Sequence, residues 1–365
     1  VIPELAALLR PELGELAAYV PRHPPGIRVR LDANEAPAML SPRLGELVRE
    51  ALASVPLERY PDPRASALRE ALAARTGAHA DELLVGCGSD ELIAHLCTAL
   101  ARPRPGAPQA VVVTPTPTFV MYGITARAHG LRHVPVPLDA KWDLDGAAMV
   151  KAVELARPNV VFVASPNNPT GTRMGEAPLR ALLSAQPTAL VVVDEAYVDF
   201  ADGPSLRSWR KEHKNLAILR TLSKVGLAAL RVGWLEADAG LIHEIDKVRQ
   251  PFNLSATSQA MATAIVQGGW GEVEAMVRRV RAERARLEGM LRALPGVEVT
   301  PSQANFVWAE VSRPAGEVHE GLAERGVLVR SFHGSGGRLA RRLRITVGLP
   351  EDSDAVVAAL AEVLR

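Results

Sequence analysis

Leu84-Val85-Gly86-Cys87-Gly88-Ser89-Asp90-Glu91-Leu92 reads as a buried strand, a glycine turn and the start of a helix. Free backbone N–H groups at a helix start bind phosphate, and glycine lets the backbone come close to it. A dinucleotide fingerprint needs a third glycine where Glu91 stands, which weakens a nicotinamide reading. Taken alone, such a turn is more often only a helix cap made by Ser89 or Asp90.

Working outward, short apolar runs recur at Leu83–Val85, Ala110–Thr114, His133–Val136, Val160–Ala164, Leu190–Val193, Leu216–Leu219 and Val232–Leu235. Helical segments such as Asp90–Leu100 and Glu176–Ser184 fall between them. This alternation predicts an α/β fold with a mostly parallel sheet and helices on both faces. Such sheets carry their chemistry in loops beyond the strand C-termini. On the N-terminal side, Pro3 to Leu16 reads as one short helix and Ile27–Asp32 as a strand. Ser41 caps a helix to about Ser54 with Pro42 in its first turn, and Ala65–Thr76 is the next helix. On the C-terminal side, Gly271–Leu294 is an amphipathic, Arg-rich helix whose interleaved Glu272, Glu274, Glu283 and Glu288 predict a solvated face. Strands at Val297–Val299, Asn305–Ala309, Val327–Val329 and Leu343–Val347, with helices at Ala315–Arg325 and Asp352–Leu364, predict a smaller α+β domain. The expected division is a 1–40 segment packing with the small domain, a large domain over 41–254 and a small domain over 255–365.

The net charge of +1 gives no electrostatic case for nucleic acid or a membrane surface. No apolar run reaches membrane-spanning length, and the opening Val1-Ile2-Pro3-Glu4-Leu5 does not read as a secretory leader. Cys87 and Cys97 fit neither a disulfide framework nor a zinc motif, and no metal site is read; they are expected to be buried, reduced thiols of a cytoplasmic protein.

Three further strand ends carry chemistry. Phe119, in Pro115-Thr116-Pro117-Thr118-Phe119, can stack on a flat ring or fill the core. Asn167-Asn168-Pro169-Thr170-Gly171 is a turn that can also present an amide. Asp194 and Glu195 directly follow the apolar Leu190–Val193, where a carboxylate needs a buried cation, a metal or a protonated ring nitrogen. A Walker-type metal site fails because the chain has no Gly-x-x-x-x-Gly-Lys loop. Lys224, in Arg220-Thr221-Leu222-Ser223-Lys224-Val225-Gly226, is one of only six lysines against thirty-six arginines, and a long apolar run follows it. Desolvation favours the neutral amine, a nucleophile that forms a Schiff base with a carbonyl. A phosphate turn, an aromatic face, an amide, a buried acid and a lysine are together what pyridoxal phosphate requires.

In this order the motifs resemble those of the fold-type I pyridoxal-phosphate aminotransferases. Leu31-Asp32-Ala33-Asn34-Glu35, Arg59-Tyr60-Pro61-Asp62, Gly88-Ser89-Asp90-Glu91, Arg220-Thr221-Leu222-Ser223-Lys224 and Leu343-Arg344-Ile345-Thr346-Val347-Gly348 are similar to the histidinol-phosphate aminotransferase family. The resemblance implies amino transfer between glutamate and imidazole acetol phosphate in histidine biosynthesis, through a Lys224 Schiff base. It implies that Lys224 also moves the proton and that Asp194 keeps the pyridine nitrogen protonated. Asn168 and Tyr197 would bind the phenolic oxygen, and Phe119 would stack on the ring where tyrosine is commoner. Ser89, Asp90, Thr221, Ser223 and Arg231 would hold the cofactor phosphate, joined by Tyr60 from the partner of a homodimer. Arg330, Arg344, Tyr19 and Asn34 would bind substrate. The chain departs from the family in a Lys224-to-Arg231 spacing one residue short and in Ala36 where asparagine is common. A phosphothreonine-type decarboxylase, an aromatic aminotransferase and a non-catalytic regulatory module on the same frame are the alternatives.

Overall fold

Val160–Ala164 and Leu190–Asp194 are β-rich runs buried at every residue, and they lie side by side in parallel. Burial on both faces is why these strands read as unbroken apolar stretches. The computed structural model describes residues 3–15, 24–37 and 41–365. Among these, the strands are β1 (Val29–Leu31), β2 (Leu83–Cys87), β3 (Val111–Thr116), β4 (Arg132–Pro137), β5 (Val160–Ala164), β6 (Leu190–Asp194), β7 (Leu216–Thr221), β8 (Val232–Glu236), β9 (Val297–Thr300), β10 (Phe306–Val311), β11 (Val327–Ser331) and β12 (Arg342–Thr346).

The larger sheet runs β2-β8-β7-β6-β5-β3-β4. The pairings from β7 to β4 are parallel, whereas β8 is antiparallel to both β7 and β2. On one face Leu92, Ile93 and Leu96 of the helix Gly88–Ala99 pack with Phe162, Val192 and Leu219. On the other, Leu179, Leu182 and Leu183 of the helix Glu176–Ala185 pack with Val161, Val163 and Val193. The smaller sheet runs β1-β11-β12-β10-β9, and β1 adds to it in parallel with β11.

The N-cap read at Ser41 is present, with its hydroxyl accepting from Leu44 N and Pro42 opening the helix Pro42–Ala53. Two expectations change. The helix read from Pro3 to Leu16 is a turn of helix, Pro3–Ala6, and then a 3₁₀ turn, Pro11–Glu15; Pro11 cannot donate to the preceding turn, and Leu16 lies outside the described residues. The helix Trp270–Arg292 is not solvated throughout its charged face, because Glu283, Arg284 and Glu288 are buried. Arg284 donates to the carbonyls of Phe200 and Ala304, Glu288 accepts from Ser302 N, and Arg286 clasps Glu283. A charge pattern along one helix cannot reveal partners that arrive from other elements.

Candidate active site

Parallel register sets the C-terminal ends of β5, β6 and β7 in a row, with Ala164 opposite Asp194 and Asp194 opposite Leu219. The antiparallel β8 extends that row to the glycine turn, since Gly233 pairs with both Thr221 and Gly86. The loops read separately in the sequence therefore meet along one edge.

At the turn, the helix Gly88–Ala99 begins without any side-chain cap. Ser89 and Asp90 lie inside the first turn, so the cap reading of those residues fails and first-turn N–H groups stay available to an anion. Glu91 instead accepts from Cys87 N and Asn253 Nδ2, both at 2.6 Å. Cys87 is only half-buried at the turn, while Cys97 is fully buried, and burial pushes its thiol up to about 12. Gly88 has a φ of +78°, and a Cβ there would meet Arg231 Nη2 at 2.5 Å; a Cβ on Gly233 would meet Ser89 N at 2.6 Å. These glycines make a cradle into which Arg231 reaches, at 3.5 Å from Ser223 Oγ and 3.8 Å from Asp90. Thr221 Oγ1 lies 2.9 Å from Ser223 Oγ and takes the Ser223 N–H.

Of the two acids after β6, Glu195 is occupied structurally. It accepts from Ser205 Oγ at 2.6 Å and Leu206 N at 2.7 Å, with Arg220 beside it. Asp194 accepts from Ala196 N at 3.0 Å and from the Tyr122 hydroxyl at 2.6 Å. Burial raises Asp194 to about 6, Asp90 adds to the rise, and the Tyr122 and Ala196 donors and Lys224 pull the other way. Lys224 is half-buried with Nζ 5.9 Å from the centre of the Tyr197 ring.

Asn167 is consumed in holding its own loop: it donates to Pro117 O and Thr170 Oγ1 and accepts from Thr118 Oγ1. Its neighbour Asn168 accepts from Arg344 Nη1 at 2.7 Å, and Arg344 also donates to Asp32 O. Asn34, buried with φ of +55°, donates from Nδ2 to the Tyr197 hydroxyl at 3.0 Å. Thr346 and Asn305 bind the rest of Asn34. Arg330 lies opposite Arg344 across β11 and β12 and is exposed. Phe119 is half-buried, edge-on to Tyr122. Tyr60 is exposed and stacks on Phe252. Tyr19 lies outside the described residues.

The sequence reading passed over Tyr122, whose one signal is a tyrosine, in a chain with only four, shortly after Phe119. It also gave no role to Asn305, which only its position in space distinguishes, or to Thr346, which stands in the Leu343–Gly348 motif.

A lysine and a buried acid at the ends of parallel strands stand beside the glycine turn, and the chain matches the family of aminotransferases of class I and II over residues 27–360. The histidinol-phosphate aminotransferase of Methylibium petroleiphilum is 40% identical over 365 residues, spanning 99% of this chain and 96% of the relative. That of Chromobacterium violaceum is 40% identical, spanning 97% of each. The crystal structure of histidinol-phosphate aminotransferase from Sinorhizobium meliloti, in complex with pyridoxal-5'-phosphate, superposes with a TM-score of 0.85 at 26% identity, covering 98% of this chain and 97% of that one. The chain belongs to the histidinol-phosphate aminotransferase family.

Proposed function

We propose that this chain is a pyridoxal 5'-phosphate enzyme that moves an amino group between glutamate and imidazole acetol phosphate, the histidinol-phosphate transamination of histidine biosynthesis. The meeting of Lys224, Asp194 and the Gly88–Arg231 cradle along one sheet edge carries the chemistry. Identity near 40% to histidinol-phosphate aminotransferases across almost the whole chain supports the substrate.

The residues present fit the cofactor. A Cβ would fill the cradle at Gly88, and among the described residues the buried Asp194 has no salt bridge, with Lys224 acting on it only through its charge. When bound, pyridoxal 5'-phosphate supplies a carbonyl for the amino group and a pyridine ring that draws electrons from the substrate Cα. Lys224 would hold the cofactor through Nζ and would carry the proton to and from the substrate Cα. Asp194 holds a proton on the pyridine nitrogen, the requirement for electron withdrawal. Asn168 Nδ2 and the Tyr197 hydroxyl bind the phenolic oxygen; Asn34 donates to Tyr197, which leaves the tyrosine's own proton to give. Ser89, Asp90, Thr221, Ser223 and Arg231 bind the phosphate, by hydroxyls and guanidinium and, at Ser89 and Asp90, by first-turn N–H groups. Phe119 covers the ring. Arg344 and Arg330 would bind the substrate's anionic groups, with Tyr19 completing that side and the buried Asn34 acting through its bond to Tyr197.

We propose further that the enzyme is a cytoplasmic homodimer in which Tyr60 reaches the partner's phosphate site. The exposure of Tyr60, Leu57 and Phe252 supports this. No helix among the described residues is long and apolar enough to cross a membrane. The proposed division is a large domain over 41–254 and a small one over 255–365, with the 1–40 segment packing on the latter through β1 while its Arg10 reaches the Ala128 carbonyl of the large domain. The β1–β11 pairing supports it.

Amino transfer from glutamate to a panel of keto acids tests the reading, with carbon dioxide release followed in parallel. Imidazole acetol phosphate is expected to be the best acceptor by kcat/KM. Release of carbon dioxide in place of 2-oxoglutarate would make the chain a decarboxylase.

A further inference from the structure

Asp194 ends β6 with its carboxylate buried, and each oxygen receives one donor from the protein. Oδ1 takes the N–H of Ala196, two residues on, in a local turn. Oδ2 takes the hydroxyl of Tyr122, which comes from the helix Met121–Ala128, 72 residues away in the chain. The tyrosine ring has no room to swing. It lies flat on Phe162 of the neighbouring strand β5, with centroids 4.9 Å apart and planes 2° from parallel, and Phe119 meets it edge-on at 5.5 Å. A phenylalanine would fill the same space, since Asp194 is the only hydrogen-bond partner of the Tyr122 hydroxyl among the described residues.

We propose that Tyr122 is a positioning residue for Asp194: its hydroxyl holds the carboxylate in one orientation and in its charged form, so that the acid can keep a proton on the cofactor's ring nitrogen. The inference rests on the role of Asp194 under the proposed function. Tyr122 is the donor of the pair, because burial and the adjacent carboxylate hold its own ionisation well above the ordinary range. The other ionisable groups that act on Asp194 are Asp90, from the helix Gly88–Ala99, and Lys224; the first opposes its ionisation and the second favours it. The Asp194 carboxylate already stands near 6, so the donor decides whether it is charged at neutral pH.

The test starts with the apoprotein. With aspartate carboxyl carbons isotopically labelled and Asp194 assigned by its loss in Asp194→Asn, NMR follows its titration. In Tyr122→Phe the midpoint is expected to rise by about one pH unit or more, the scale of one hydrogen bond to a charged group. In the holoenzyme the acid limb of kcat is expected to move to higher pH in step, with KM for glutamate little changed. An unmoved titration in folded Tyr122→Phe overturns the proposal. So does a titration that moves while the acid limb stays, because the hydroxyl would then set the charge of Asp194 in the apoprotein without bearing on catalysis. If Tyr122→Phe does not fold, 3-fluorotyrosine placed at 122 keeps the shape and donates more strongly. The midpoint is then expected to fall, and no change overturns the proposal. Failure of the Asp194 role shows separately, as wild-type transamination by Asp194→Asn.

Discussion

The edge of the parallel sheet and the face of β10–β12 contribute different kinds of group, by different means. Along the parallel edge, Asp194, Thr221 and the Gly88 turn stand where strands stop, and their neighbours in sequence build much of their surroundings. On the β10–β12 face, Arg344 sits inside a strand, opposite Trp308 on one side and Arg330 on the other. Its hydrogen-bond partners, Asn168 and Asp32 O, come from 176 and 312 residues away. A strand end fixes a group through local backbone geometry. A mid-strand side chain is defined by what the opposing loops bring to it, so the two regions should answer differently to substitution.

The sharpest way to break the comparison is at Lys224. Lys224→Ala is expected to cost at least about 10⁴-fold in single-turnover amino transfer while the cofactor still binds without a covalent link. Borohydride reduction of the wild-type holoenzyme should label Lys224 and no other lysine on peptide mapping.

Asp194→Asn is expected to lower kcat by about 10²–10³-fold with cofactor still bound, measured as the rate of the first half-reaction. The same change should stabilise the apoprotein. Asp194 stands at about 6 against an ordinary 3.8, so the folded state holds its proton more tightly than the unfolded chain does. That contribution is complete below about pH 4 and is lost as pH rises through 6. Urea unfolding of the apoproteins at pH 8 should therefore find Asp194→Asn about 2 kcal/mol the more stable, relative to the difference seen at pH 4.

The arginines sharpen the other side. Arg344→Ala should damage both half-reactions, whereas Arg330→Ala should fall harder on histidinol phosphate than on glutamate. A loss of about ten- to a hundredfold in kcat/KM is the scale for one charge-assisted contact. Equal losses on both substrates would detach Arg330 from the phosphate.

The smallest effect is expected where the two regions are tied together. Asn34→Ala removes the donor to Tyr197 and the acceptor of the Thr346 hydroxyl, while the backbone bonds of residue 34 to Thr346 and Asn305 remain. It also puts alanine at a φ of +55°. A stability loss of about 1–2 kcal/mol in denaturant unfolding is expected.

Periodicity and turn chemistry are local properties, and the sequence by itself determined what rests on them. The strand cores from Leu83 to Leu235, the Ser41 cap and the alternation that demands a covered, mainly parallel sheet were all legible there. The order of Ser89-Asp90-Glu91, Asn168, Asp194 and Ser223-Lys224 pointed to the aminotransferases, and Leu31–Glu35, Arg59–Asp62 and Leu343–Gly348 to the histidinol-phosphate family among them. Tertiary structure alone decided the antiparallel entry of β8, which brings the glycine turn to the lysine's edge. It separated Asp194 from Glu195, adjacent acids of which one is consumed by Ser205 and Leu206. It spent Asn167 on its own loop and left Asn168 to Arg344. It buried Glu283, Arg284 and Glu288 on a helix face that reads as solvated, and it set Tyr122 against Asp194. The physical reason is common to all of these. A hydrogen bond between distant residues leaves no period in the chain, and a buried polar group is defined by the partner that makes its burial tolerable.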